Sequence, residues 1–95
     1  MDVDPLVFTG HAVRQMFTRR LSTTDVRSVI QQGEVIADYP DDIPFPSKLL
    51  LGFVVNAPVH VVIAYDEDLS TGYVVTAYRP DRGLWSDDFK TRRPT

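Results

Sequence analysis

The hydrophobic pattern of this chain has two periods, and the change falls at Gly33. Before it, "FTGHAVRQMFTRRL" places Val13, Met16, Phe17 and Leu21 on one side at helical spacing. Thr9 precedes them as a side chain able to accept a hydrogen bond from an orphan backbone N–H, so the segment predicts an amphipathic first helix. A second, shorter helix is predicted in "STTDVRSVIQQG", with Val26, Val29 and Ile30 as its buried stripe. Ser22 followed three residues later by Asp25 is a relative of the capping box, and Gly33 supplies the stop.

Beyond Gly33 the alternation is that of strands. "EVIADY", "KLLLGFVV", "PVHVVIAY" and "GYVVTAYR" are four strand candidates, separated by the proline-stiffened "PDDIPFP" and by turns at "NAP" and "DEDLSTG". The tail, "PDRGLWSDDFKTRRPT", is polar apart from Trp85 and Phe89, which are expected to pin it to the body as a turn or short helix. The predicted fold is α+β in a single domain over residues 1–95. Two N-terminal helices pack on one face of a four-stranded antiparallel sheet, and the other face stays open.

Composition narrows the class. At 95 residues and 43% hydrophobic the chain suits one modest core. No apolar run approaches the roughly 20 residues that cross a bilayer, and "MDVDPLVF" lacks the basic flank and apolar segment of a signal peptide. A cytoplasmic protein without membrane attachment is the expectation. The absence of cysteine excludes disulfides and thiolate zinc sites. A net charge of -3 argues against nucleic-acid binding through bulk charge and leaves room for a local patch.

The residue that does not fit its surroundings is His60, inside the most apolar strand. Side chains alternate across a strand, so Val59, Val61, Ile63 and Tyr65 form the core face, and His60 points to the other. If Thr76 and Tyr78 of the last strand share that second face, His60 and Tyr78 are neighbours; a slip of one residue would substitute Arg79. A metal site built from His11, His60 and a carboxylate has no ligand-spacing motif behind it, and no cofactor is expected.

The order "HAVRQMFTR", "GEVIADYPDDIPFPSKLLLG", "PVHVVIAYD", "VVTAYRPD" and "LWSDDFKTRR" resembles the bacterial domain-of-unknown-function family 4258 over nearly the whole chain. That family in turn resembles the RelE-like and MqsR-like endoribonuclease toxins of type II toxin–antitoxin systems. The resemblance implies two N-terminal helices against an antiparallel sheet, RNA as substrate and a small cognate antitoxin as partner, by fold-level analogy. Where many family members carry Gly-Arg before the Pro-x-His strand, this chain has Asn56 and Ala57, and Arg79 stands where many have Glu.

Metal-independent RNA cleavage needs a base for the ribose 2'-hydroxyl, an acid for the departing 5'-oxygen and a cation for the charge that develops on phosphate. The resemblance points to His60 and His11, with Tyr78 as a third polar candidate; His60 is the first choice, since a strand holds it rigidly and its ordinary pKa is near neutrality. Arg14, Arg20 and Arg79 are the phosphate-binding candidates. A wider basic patch of Arg14, Arg19, Arg20, Lys90, Arg92 and Arg93 requires the tail to fold back beside the first helix. Two other readings make different demands. A noncatalytic protein- or ligand-binding module would scatter these groups and expose an apolar patch, and a purely structural His60 would be sealed with no cavity beside it.

Overall fold

The computed structural model describes residues 1 and 3–94. Its elements in chain order are β1 (Leu6–Phe8), α1 (Gly10–Thr18), α2 (Thr23–Gln32), β2 (Glu34–Tyr39), β3 (Ser47–Val54), β4 (Ala57–Asp66) and β5 (Thr71–Tyr78). They form an α+β fold with a five-stranded sheet in the order β1-β5-β4-β3-β2.

This sheet corrects the predicted architecture. The four strands read from the sequence pair antiparallel, but β1 adds a fifth beside β5 and runs parallel to it, making the sheet mixed. The helices therefore follow a strand instead of opening the fold. "LVF" is too short to display a period of two, which is why pattern alone passes over it.

The helix ends obey local chemistry. The Thr9 hydroxyl accepts from the Ala12 N–H at 3.1 Å. Ser22 and Asp25 form a reciprocal box, with Asp25 N–H on Ser22 Oγ at 3.0 Å and Ser22 N–H on Asp25 Oδ2 at 2.9 Å. Gly33 closes α2 by donating to the Val29 carbonyl.

The buried face of α1 differs from its predicted stripe. Ala12 and Met16 point inward and Leu21 is buried after the helix, while Val13 is half exposed and Phe17 is 87% exposed. The small Ala12 lets the helix lie close to the sheet, which rotates the stripe away from the bulkier pair. With Val26, Val29 and Ile30 of α2, these residues cover Leu50, Val59, Val61, Ile63, Val74 and Ala77 in the main core.

The pairing register shifts between Val35 and Ala37 of β2 and again between Val62 and Ile63 of β4. A bulge in β5 lets Ile63 pair with Val74 directly after Val62 pairs with Thr76, leaving Val75 as the extra residue. Val74 and Ala77 are consequently both buried and Val75 is exposed, so simple alternation fails there. The β3–β4 hairpin turns at Val55 and Asn56, both at positive φ, one residue earlier than the "NAP" turn read from the sequence.

The second sheet face is not open. Leu49 and Leu51, flanked by Ile36, Ala37 and Val62, are covered by Trp85 and Phe89 of the tail. The tail does this with turns and an isolated bridge between Trp85 and Arg92, so the turn of the predicted "turn or short helix" is what forms.

A contrast between two apolar positions checks this core assignment. Leu50→Ala, at a fully buried site, is expected to lower stability by about 2–5 kcal/mol in urea unfolding. Phe17→Ala, at a site 87% exposed, is expected to change it by less than about 0.5 kcal/mol.

Candidate functional site

His60 sits opposite Tyr78 on one side and Leu51 on the other, in the register the neighbouring strands impose. It is fully buried. Its Nε2 lies 2.8 Å from the Phe89 carbonyl and its Nδ1 lies 3.1 Å from the Tyr78 hydroxyl. A carbonyl only accepts, so Nε2 carries the hydrogen, and Nδ1 accepts the Tyr78 O–H. The Trp85 ring closes the remaining side edge-on, with centroids 4.4 Å apart. Phe89 reaches this position at φ 62, in the left-handed region.

Burial pushes the His60 pKa below 6.5, against a smaller upward pull from the Phe89 hydrogen bond. The ring is therefore neutral at physiological pH. Burial likewise raises the Tyr78 phenol, with Tyr39 adding to the rise and Arg92 opposing it.

Tyr78 joins this sealed ring to a cavity. β1 pairs only with Gly72, Tyr73 and Val74, so Thr76 and Tyr78 lie past the end of the edge strand. Thr9 fastens the start of α1 there by bonding the Val74 and Val75 carbonyls. The helix then brings Gln15 and Arg19 alongside Thr76, Tyr78 and Arg79, and the tail completes the walls with Asp81, Leu84, Trp85 and Arg92. The resulting cavity is about 370 Å³. Three guanidinium groups face one carboxylate in it. Arg79 Nη1 is buried and finds no hydrogen-bond partner among the described residues. The residue thus carries an unspent guanidinium donor beside a cationic cleft, a group of the kind that pairs with anionic oxygens.

The sequence-predicted site residues are only partly gathered. Tyr78 and Arg79 line the cavity, and His60 stands directly behind Tyr78, out of reach of any ligand. His11 is exposed, one helical turn before Gln15 on the same face of α1 but outside the lining residues. Arg14 and Arg20 are exposed and also outside it. Arg19 and Arg92, assigned from the sequence only to a wider patch, are the cations that meet here. Lys90 instead pairs with Glu34 at 3.1 Å, and Arg93 with Asp87 at 2.9 Å. The spacing of His11, Gln15 and Arg19 at every fourth position was the available signal for a polar helix face directed at β5.

A larger groove of about 640 Å³ runs between α2, β3 and the tail, past Val29, Gly52, Phe53 and Phe89. Its charged residues are three carboxylates, Glu34, Asp87 and Asp88, against Lys90, which is paired with Glu34, so its charge disfavours anions. No group of three or more His, Cys, Asp or Glu is placed to hold a metal among the described residues, and no helix is long and apolar enough to cross a membrane.

The buried imidazole has a measurable consequence. Between its lowered pKa and 6.5 the unfolded chain binds more protons than the folded one. The contribution of His60 is thus fully present above 6.5 and declines as pH falls through that window. The urea midpoint of the wild type is expected to drop from about pH 7 to about pH 5, and His60→Gln to lose that part of the slope.

Two comparisons, with curated proteins and with solved structures, return no match. A family model described as a domain of unknown function, DUF4258, matches residues 8–79, spanning β1 to Arg79 and including His60, Tyr78 and the α1 residues of the cavity. The chain belongs to the DUF4258 family.

Proposed function

We propose that this domain is a metal-independent endoribonuclease that binds an RNA phosphodiester in the cavity at the end of β5. The observation that carries the reading is that Arg19, Arg79 and Arg92 line one cavity with Tyr78, with Arg79 Nη1 buried and unpartnered among the described residues. Guanidinium groups bind phosphate oxygens through a fixed fork and stabilise the charge that builds up on them during transfer. Tyr78 is the proton-transfer group with access to the ligand. In this reading Arg79 keeps the role expected from the sequence, while Arg19 and Arg92 take the places assigned to Arg14 and Arg20. His11 remains a candidate second proton-transfer group on the helix side.

An RNA-cleaving domain must be restrained in the cell that makes it, which gives the toxin–antitoxin reading its sense and calls for a cognate antitoxin protein. The exposed pair Val13 and Phe17, on consecutive turns of α1, favours a second reading in which the domain is a noncatalytic module that binds a partner protein.

Purified protein incubated in EDTA with an end-labelled single-stranded RNA of mixed sequence separates the two. Cleavage leaving 2',3'-cyclic phosphate ends is expected, with no cleavage of the DNA of the same sequence, which lacks the attacking hydroxyl. Tyr78→Phe and Arg79→Gln are each expected to slow it by about 10²–10³-fold under conditions where each variant is confirmed folded by circular dichroism. Intact RNA with the wild-type protein would reject the ribonuclease reading in favour of the binding module.

A further inference from the structure

The hydrogen bond between Tyr78 and His60 has a direction, and the direction limits what Tyr78 can do. Phe89 contributes a carbonyl, so His60 Nε2 is the N–H and Nδ1 is the acceptor. The single phenolic proton of Tyr78 is therefore committed to Nδ1. Tyr78 lines the cavity, and in the proposed reading its phenol meets a ligand with oxygen lone pairs. A tyrosine held this way accepts a proton from a ligand more readily than it donates one.

We propose that Tyr78 removes the proton from the ribose 2'-hydroxyl while passing its own proton to His60, so that His60 is a buried positioning residue and proton acceptor behind a catalytic tyrosine. This rests on the RNA-cleavage reading above. In the step, the 2'-O–H proton moves to the Tyr78 oxygen and the Tyr78 proton moves to His60 Nδ1. The bond from O2' to phosphorus forms and the bond from phosphorus to O5' breaks, with O5' taking a proton from water. The imidazolium then returns its proton through Tyr78 to the hydroxide left in solvent, restoring the starting state.

Three features of the surroundings suit this role. The Phe89 carbonyl remains a correct partner after protonation, because both ring nitrogens of an imidazolium donate. Among the described residues no carboxylate pairs with His60, so nothing holds the ring charged beforehand. Burial keeps the ring neutral with Nδ1 unprotonated, and keeps the Tyr78 phenol protonated. The other charged or titratable groups near the pair are Tyr39 from β2, Arg19 after α1, and Arg79, Asp81, Arg82 and Arg92 around the tail and cavity, with Asp81 the one carboxylate among them. The arginines oppose an imidazolium in the free protein, and an added phosphate charge in the cavity offsets that opposition.

Two measurements on the full chain test the relay. Nitrogen-15 NMR of the His60 ring should show the Nε2–H tautomer, with the Nδ1 resonance moving in Tyr78→Phe. A ring with its hydrogen on Nδ1 would overturn the proposal whatever the activity. With the same single-stranded RNA, kcat of His60→Gln should fall by about 10²-fold with KM little changed. The acid limb of the wild-type profile, in which rate is lost as His60 is protonated below 6.5, should vanish in that variant. If folded His60→Gln keeps both its kcat and its acid limb, the relay is wrong and the ribonuclease reading stands. If the wild type does not cleave RNA, that reading fails and takes the relay with it, even where the tautomer is the expected one.

Discussion

Burying an imidazole in an apolar sheet face costs free energy unless both of its nitrogens find partners. Here one partner comes from the adjacent strand and the other from the backbone of a segment 29 residues further along the chain. That second hydrogen bond, from His60 to the Phe89 carbonyl, fixes where the tail can sit. A tail shifted along the sheet while still covering it would leave Nε2–H buried and unpaired. The aromatic contacts of Trp85 and Phe89 supply the bulk of the burial, but they are not directional, whereas the carbonyl admits one arrangement. Specific placement and hydrophobic attachment thus come from different groups in the same ten residues.

The position of the tail then decides the composition of the cavity. Its walls come from α1, from the end of β5 and from the tail, three segments distant in sequence. The shortness of β1 leaves the edge of β5 free beyond Val74, and the Thr9 cap aims α1 along that edge. The tail closes the remaining side with Trp85 and Arg92, whose guanidinium lies over the indole ring at 5.8 Å from its centroid. An arginine stacked in this way is ordered before it meets a ligand, which reduces the entropy lost on binding.

Much of this was legible locally and little of it globally. Both N-caps, the Gly33 stop, the strand candidates from Glu34 onward and the pairing of His60 with Tyr78 follow from residue type and period, because each depends on neighbours within a few positions. The parallel β1 escaped because three residues carry no periodic signal. The inward face of α1 was misjudged because Ala12 has weak hydrophobic weight, while its small size sets how closely the helix approaches the sheet. Strict alternation would put Val74 and Ala77 on opposite faces, and both are buried because a bulge inserts Val75 and reverses the alternation after it. Arg19 and Arg92 could not be paired from sequence, since their meeting depends on where the tail docks, and that depends on a hydrogen bond to a backbone atom that every residue type possesses.

The charge of the whole chain looks like an argument against RNA, and its distribution reverses the sign where it matters. The net value is -3, yet the cavity at β5 gathers three guanidinium groups against one carboxylate. At physiological salt, fields between exposed charges fade over roughly 8 Å, so a bound phosphate responds to the cavity and hardly to distant surface acids. Those acids still repel the remainder of a polyanion, which weakens sliding contacts along the backbone more than it weakens the one phosphate held in the cleft. On the proposed reading, such a surface would gain little from length of nucleic acid, and its selectivity would lie in which phosphodiester presents its 2'-hydroxyl to Tyr78 while its phosphate meets the cavity arginines.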